Sequence, residues 1–116
     1  MAKKFSTSLK RAWNGVVSVW SHEANFRREI YVALVVIAAM IYLRITVKEA
    51  AVLLLVIFAV LILEVLNAVV ERITDILKPR LHDYALVIKD MMAAAVLLSS
   101  LAAVLIGAII FLPYLF

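Results

Sequence analysis

Four polar residues, Glu64, Asn67, Glu71 and Asp75, stand at i, i+3, i+7 and i+11, a spacing that lays them along one stripe of an α-helix. At ~1.5 Å of rise per residue, Glu64 and Glu71 lie roughly 10 Å apart along that helix. Glu64 also falls inside a long apolar run, Ala50 to Val70. A carboxylate set into such a run is costly in a bilayer and is by default a functional hypothesis. Just below a membrane surface, it could take a proton from a lipid hydroxyl that never leaves the membrane. Nearer the water, Glu71 and a second carboxylate could hold Mg²⁺, a hard cation that prefers oxygen ligands and bridges substrate phosphates. Lys89 and the arginine clusters could neutralise a triphosphate. Phosphoryl transfer rests mainly on positioning and charge neutralisation, so a small scaffold suffices for it.

Spacing alone leaves plainer accounts open. Glu64 and Asn67 could be hydrogen-bonding glue between two membrane helices, and Glu71 with Asp75 could be a solvated helix end. His82, between Leu81 and Asp83, reads as a loop histidine before it reads as a ligand. Lys89-Asp90 resembles the charge pair common at a helix start, and Trp13 and Trp20 suit interfacial anchors better than base-stacking groups. Absent motifs narrow the field. There is no G-x-x-x-x-G-K-[ST] loop, and Gly15 and Gly107 cannot build a glycine-rich phosphate cradle. A nucleotide would therefore be held by side chains and metal. No Ser/His/Asp or Cys/His set is available for covalent catalysis, and two histidines exclude a His-rich metal cage.

The elements that must position this stripe are those of a membrane protein. The chain is 67% hydrophobic over 116 residues and has no cysteine. A soluble domain of this size needs more polar surface, so the composition predicts a single all-α membrane domain over residues 1–116. The missing cysteines exclude a disulfide framework and a thiolate metal site. In residues 1–22, Phe5, Leu9, Trp13, Val16, Val17 and Trp20 recur at helical spacing, away from Lys3, Lys4, Lys10 and Arg11. That pattern predicts an amphipathic helix lying in the membrane interface. Membrane spans are predicted over 26–47, 50–70 and 91–113, with a tight connection at Lys48-Glu49 and a cytoplasmic loop over 72–90 broken at Pro79. The first span requires Arg27, Arg28, Glu29 and Arg44 to reach the headgroups. Six Lys and Arg, at 3, 4, 10, 11, 27 and 28, lie before it or at its start, four lie in 72–90, and only Arg44 and Lys48 fall on the other side. This bias predicts a cytoplasmic N-terminus and an outside C-terminus. The net charge of +4 does not indicate nucleic acid, because the basic residues flank apolar spans.

Glu64-Val65-Leu66-Asn67-Ala68-Val69-Val70-Glu71-Arg72-Ile73-Thr74-Asp75 resembles the E-x-x-N-x-x-x-E-x-x-x-D signature of the prokaryotic integral-membrane diacylglycerol kinases and their undecaprenol-kinase relatives. Glu23-Ala24-Asn25-Phe26-Arg27-Arg28-Glu29 is similar to that family's upstream acidic segment. His82, then Lys89-Asp90, then Ala93-Ala94-Ala95-Val96-Leu97 follow in the family's order, so the resemblance covers nearly the whole chain. It implies a homotrimer of three-span subunits with N-terminal surface helices in a prokaryotic inner membrane. It further implies active sites shared between neighbours at the cytoplasmic interface, with Mg-ATP as phosphoryl donor. By position, Glu64 is implied as general base, with Asn67 beside it in the catalytic set, and Glu23 and Glu71 as metal ligands. Lys89 and Asp90 are implied as nucleotide contacts, with Lys4, Arg11, Asp75, Arg80 and His82 on the nucleotide side. Arg27, Arg28 and Glu29 would lie by the lipid headgroup.

Arg28 stands where relatives often carry Gln or His, Arg11 replaces an aromatic residue, and Met91-Met92 occupies a place where a small residue is usual. The expected reaction is γ-phosphoryl transfer from ATP to a membrane lipid hydroxyl. Diacylglycerol giving phosphatidic acid is the first expectation and undecaprenol the alternative acceptor. The rival of another class is a small proton-coupled transporter built on Glu64, against which the charges crowd one face and the second span has no Gly or Pro. A non-enzymatic membrane scaffold is the third reading.

Overall fold

The computed structural model describes residues 1–116 as four α-helices: α1 (Ala2–His22), α2 (Ala24–Tyr42), α3 (Val47–Leu77) and α4 (His82–Leu115). The centre is the α3/α4 hairpin; α2 packs on α3, and α1 packs on α2. α3 and α4 are long and apolar enough to cross a membrane, and every element is an α-helix. α2 carries Arg27, Arg28 and Glu29 near its start, and its uninterrupted apolar part, Ile30–Tyr42, is about 20 Å long against ~30 Å of hydrocarbon.

Helix α1 forms along the amphipathic pattern, and Phe5, Leu9, Trp13, Val16 and Val17 remain exposed on it. It ends at Glu23, whose extended backbone (φ −117°, ψ 105°) closes α1 and opens α2. Arg27 fixes this elbow: its guanidinium donates to the Trp20 carbonyl at 2.5 Å, one of the α1 carbonyls left without a helical partner. Trp20 meets Tyr31 edge to face, with ring centroids 5.8 Å apart. Phe26 is buried with Val19 and Ala68, and Arg72 of α3 donates to the Ser18 hydroxyl at 3.2 Å. The elbow is thereby pinned to α3 beside Asn67 and Glu71.

Three predicted boundaries need correction. The first segment, placed at 26–47, is helical only to Tyr42, because Arg44 turns left-handed (φ 52°) and breaks it. Lys48-Glu49 is not the connection. It belongs to the first turn of α3, where Thr46 and Glu49 form a capping box: the Glu49 N–H donates to Thr46 Oγ1 at 3.2 Å, and the Thr46 N–H donates to Glu49 Oε1 at 3.1 Å. The predicted 72–90 loop is almost wholly helical, leaving only Lys78–Leu81 as the turn. Thr74 returns its hydroxyl to the Val70 and Glu71 carbonyls, so even this polar residue is satisfied within the helix. Pro79 lacks the N–H that would continue it. A 31-residue α3 is about 46 Å long, so its polar end outruns the hydrocarbon instead of unwinding.

Only 11 of 116 residues are buried, so most apolar side chains face outward, as a lipid-exposed protein requires. Two small clusters hold the helices together. Val19, Phe26 and Ala68 form one below the elbow; Met40, Leu53 and Ile110 form the other at the far end.

Candidate active site

A groove of about 510 Å³ opens between α3 and α4 at the end nearer the α3/α4 turn, lined by Glu64, Asn67, Glu71, Lys89, Asp90 and, from α2, Asn25. Glu64, Asn67 and Glu71 of the predicted stripe form one wall of it, and Asp75, the fourth, does not line it. Ala93, Val96, Leu97 and Ser100 of α4 form the other wall. Small residues on α4 keep the two helices from filling the space between them.

Glu64 is buried, at 6% exposure, yet it makes no hydrogen bond within the chain. Burial without a partner is expensive for a carboxylate unless its oxygens face a polar opening, and here they face the groove. Above Glu64, Asn67 Nδ2 points to Glu71 Oε1 at 3.5 Å, a long contact that orients rather than locks the carboxylate. Across the groove mouth, Lys89 Nζ donates to Asp75 Oδ1 at 2.9 Å. That ammonium holds the Asp75 carboxyl below its ordinary value of 3.8.

The remaining predicted residues are placed elsewhere. Glu23 stands at the elbow and does not line the groove. Glu29 lines an adjoining apolar groove. Arg27 is engaged by the Trp20 carbonyl, and Arg28 donates to Asn25 Oδ1 at 3.2 Å. Lys4 and Arg11 are exposed on α1, Arg80 lies in the turn and His82 starts α4; none of the four lines the groove. The sequence reading passed over Asn25 and Ser100 as groove residues. A serine pair, Ser99-Ser100, in an otherwise apolar segment was the available signal for the second. Nothing in the sequence marked Asn25, whose place depends on the elbow.

No three metal-ligating side chains are assembled in one place. Mg²⁺ does not need them: it keeps several waters and commonly takes one or two carboxylates together with substrate phosphates. Glu71 at the groove and Glu23 at the elbow supply oxygen donors of that kind, in a neighbourhood rich in negative charge.

Known proteins resemble this chain over most of its length. The family described as prokaryotic diacylglycerol kinase matches residues 10–111. A diacylglycerol kinase of Synechocystis sp. is 35% identical over 114 residues, 97% of this chain, and the chain spans 65% of that relative's length. A diacylglycerol kinase of Escherichia coli is 30% identical over 104 residues, covering 87% of this chain and 85% of the relative. The chain belongs to the prokaryotic diacylglycerol kinase family, a family of lipid kinases.

Proposed function

We propose that the chain transfers the γ-phosphoryl group of Mg-ATP to the hydroxyl of a membrane lipid, with diacylglycerol as acceptor and phosphatidic acid as product. The observation that carries this is Glu64: buried, unpartnered, and facing a groove that leads outward to Glu71, Lys89 and Asp90. Glu64 takes the proton of the lipid hydroxyl as its oxygen bonds the γ-phosphorus and the bond to the bridging oxygen breaks, releasing ADP. Asn67 sets the orientation of Glu71. Glu71 and Glu23 would hold Mg²⁺, which would supply neutralisation of the charge on the transferring phosphoryl group. Lys89, positioned by Asp75, and Asp90 meet the nucleotide. Lys4, Arg11, Arg80 and His82 form its outer surroundings, and Arg27, Arg28 and Glu29 stand near the lipid headgroup.

In this reading α2 is the third span, α1 lies on the cytoplasmic face of a prokaryotic inner membrane, and the C-terminus is outside. Three subunits assemble so that neighbours complete each open groove. The acceptor is tested with purified protein in mixed micelles and labelled ATP, offered diacylglycerol, undecaprenol and a sphingoid base separately. Phosphatidic acid is the expected product; preferential labelling of undecaprenol would move the assignment to the alternative acceptor, and no labelled lipid from any of the three would defeat it.

A further inference from the structure

Arg72 has no part in the transfer reaction, yet its charge is left uncompensated. Its guanidinium donates to the Ser18 hydroxyl at 3.2 Å, and no carboxylate pairs with it, because the chain's only ion pair is Lys89–Asp75. A guanidinium has donors alone, so Ser18 Oγ accepts and its own O–H remains to be given. The spare N–H groups of Arg72 and the Ser18 O–H thus stand side by side between α1 and α3. That set suits a phosphate, which takes several donors on one anionic group.

The two residues stand at one end of a groove of about 240 Å³, lined on α3 by Val65 and Val69 and on α1 by Gly15 and Val16. It shares no residue with the active-site groove. Val65 and Arg72 directly follow Glu64 and Glu71, so this groove opens about 100° round α3 from the carboxylate stripe. A Cβ built on Gly15 meets nothing within 4 Å, so this glycine serves no close helix contact and its missing side chain leaves the groove open.

Depth selects the ligand. Arg72 lies about 37 Å along α3 from Val47, beyond ~30 Å of hydrocarbon and within a full bilayer of ~40–45 Å. It stands in the headgroup layer, and the groove runs from it about 10 Å towards the hydrocarbon. A phosphate there with an acyl chain below it is a phospholipid. Helix α1 carries Lys3, Lys4, Lys10 and Arg11 and no acidic residue, so the surroundings favour a headgroup of net negative charge. Diacylglycerol and undecaprenol have no phosphate to offer Arg72.

We propose that the α1/α3 groove binds an anionic phospholipid of the surrounding bilayer, its phosphate on Arg72 and Ser18 and one acyl chain along Gly15 and Val69. The lipid ties the amphipathic helix to α3. This site needs α3 to cross a bilayer and does not need the assignment of Glu64.

The test follows the thermal midpoint of the whole chain in neutral-detergent micelles as phosphatidylglycerol, phosphatidylcholine or free glycerol phosphate is added. Phosphatidylglycerol should raise the wild-type midpoint by about 5 °C, and the other two should give a small fraction of that. Arg72→Gln, which removes the charge, and Gly15→Leu, which fills the groove, should each abolish the rise. Lys78→Gln, which removes the same charge from the α3/α4 turn, should keep it. An equal rise with phosphatidylcholine or glycerol phosphate, no rise, a rise retained in Arg72→Gln or Gly15→Leu, or one lost in Lys78→Gln would overturn the proposal. None of these readings depends on turnover, so each leaves the kinase assignment standing. A protein that shows the rise and phosphorylates no lipid would defeat that assignment and leave this site.

Discussion

The two ends of the helical hairpin each carry a glutamate, and they are built in opposite ways. At the α2/α3 end, Glu49 is half-buried and saturated: its Oε1 accepts from the Thr46 N–H, from the Thr46 hydroxyl at 3.0 Å and from the Tyr114 hydroxyl. These donors, Tyr114 first, hold its carboxyl below the ordinary value, while the carboxylate pushes the Tyr114 hydroxyl up. Glu49 therefore ties the start of α3 to the end of α4 and has no acceptor capacity to spare on that oxygen. Towards the other end, midway along α3, Glu64 is buried and has no side-chain hydrogen bond within the chain. A fold that stabilised Glu64 for structure alone would have given it donors. The contrast separates a carboxylate used for architecture from one reserved for chemistry.

Substitutions at the two ends should therefore diverge. The largest effect is expected for Glu64→Gln, which keeps size and removes the base: kcat falls by about 1,000-fold, while Glu49→Gln stays close to wild type in the same assay. Next, Glu71→Ala should raise the Mg²⁺ concentration for half-maximal rate by about 10- to 100-fold. A metal titration that leaves this variant indistinguishable from wild type would break the assignment. Asp75→Asn frees Lys89 and should raise KM for ATP a few-fold with little change in kcat.

The same pair carries a pH signature in the fold. Because the Asp75 carboxyl is held below 3.8, its bridge to Lys89 contributes fully above that value and is lost as pH falls through the depressed folded value. Asp75→Asn should flatten the acid limb of a thermal-midpoint profile. The smallest effects belong to the far end. Tyr114→Phe should lower the thermal midpoint slightly and leave kcat alone, and Arg44→Gly should stabilise by about 1 kcal/mol by relieving the left-handed backbone.

The groove wall on α3 was more legible in the sequence than the segment boundaries. Glu64, Asn67 and Glu71 share a helical face, and helical spacing alone converts that into a wall. Segment ends failed where polarity was read as loop. Arg72, Asp75 and Lys78 are compatible with a helix, and a helix that outruns the bilayer is polar there without unwinding. Thr46-Val47-Lys48-Glu49 did carry a readable start signal, the capping box, which charge at Lys48-Glu49 obscured. Other features were not readable at all. The Arg27 partner is a backbone carbonyl across the elbow, and the Asp75–Lys89 bridge depends on the length of the Lys78–Leu81 turn. Neither follows from residue type.

The central claim, that Glu64 serves the transfer step and not assembly or nucleotide binding, is tested most directly by measuring two quantities on Glu64→Gln. Nucleotide affinity is read by titration with a fluorescent ATP analogue and Mg²⁺, and lipid phosphate formation with labelled ATP on the same preparation. Nucleotide affinity within about two-fold of wild type, together with a turnover loss of about 1,000-fold, is the predicted result. Turnover retained within about ten-fold, or nucleotide affinity lost in parallel with turnover, would contradict it.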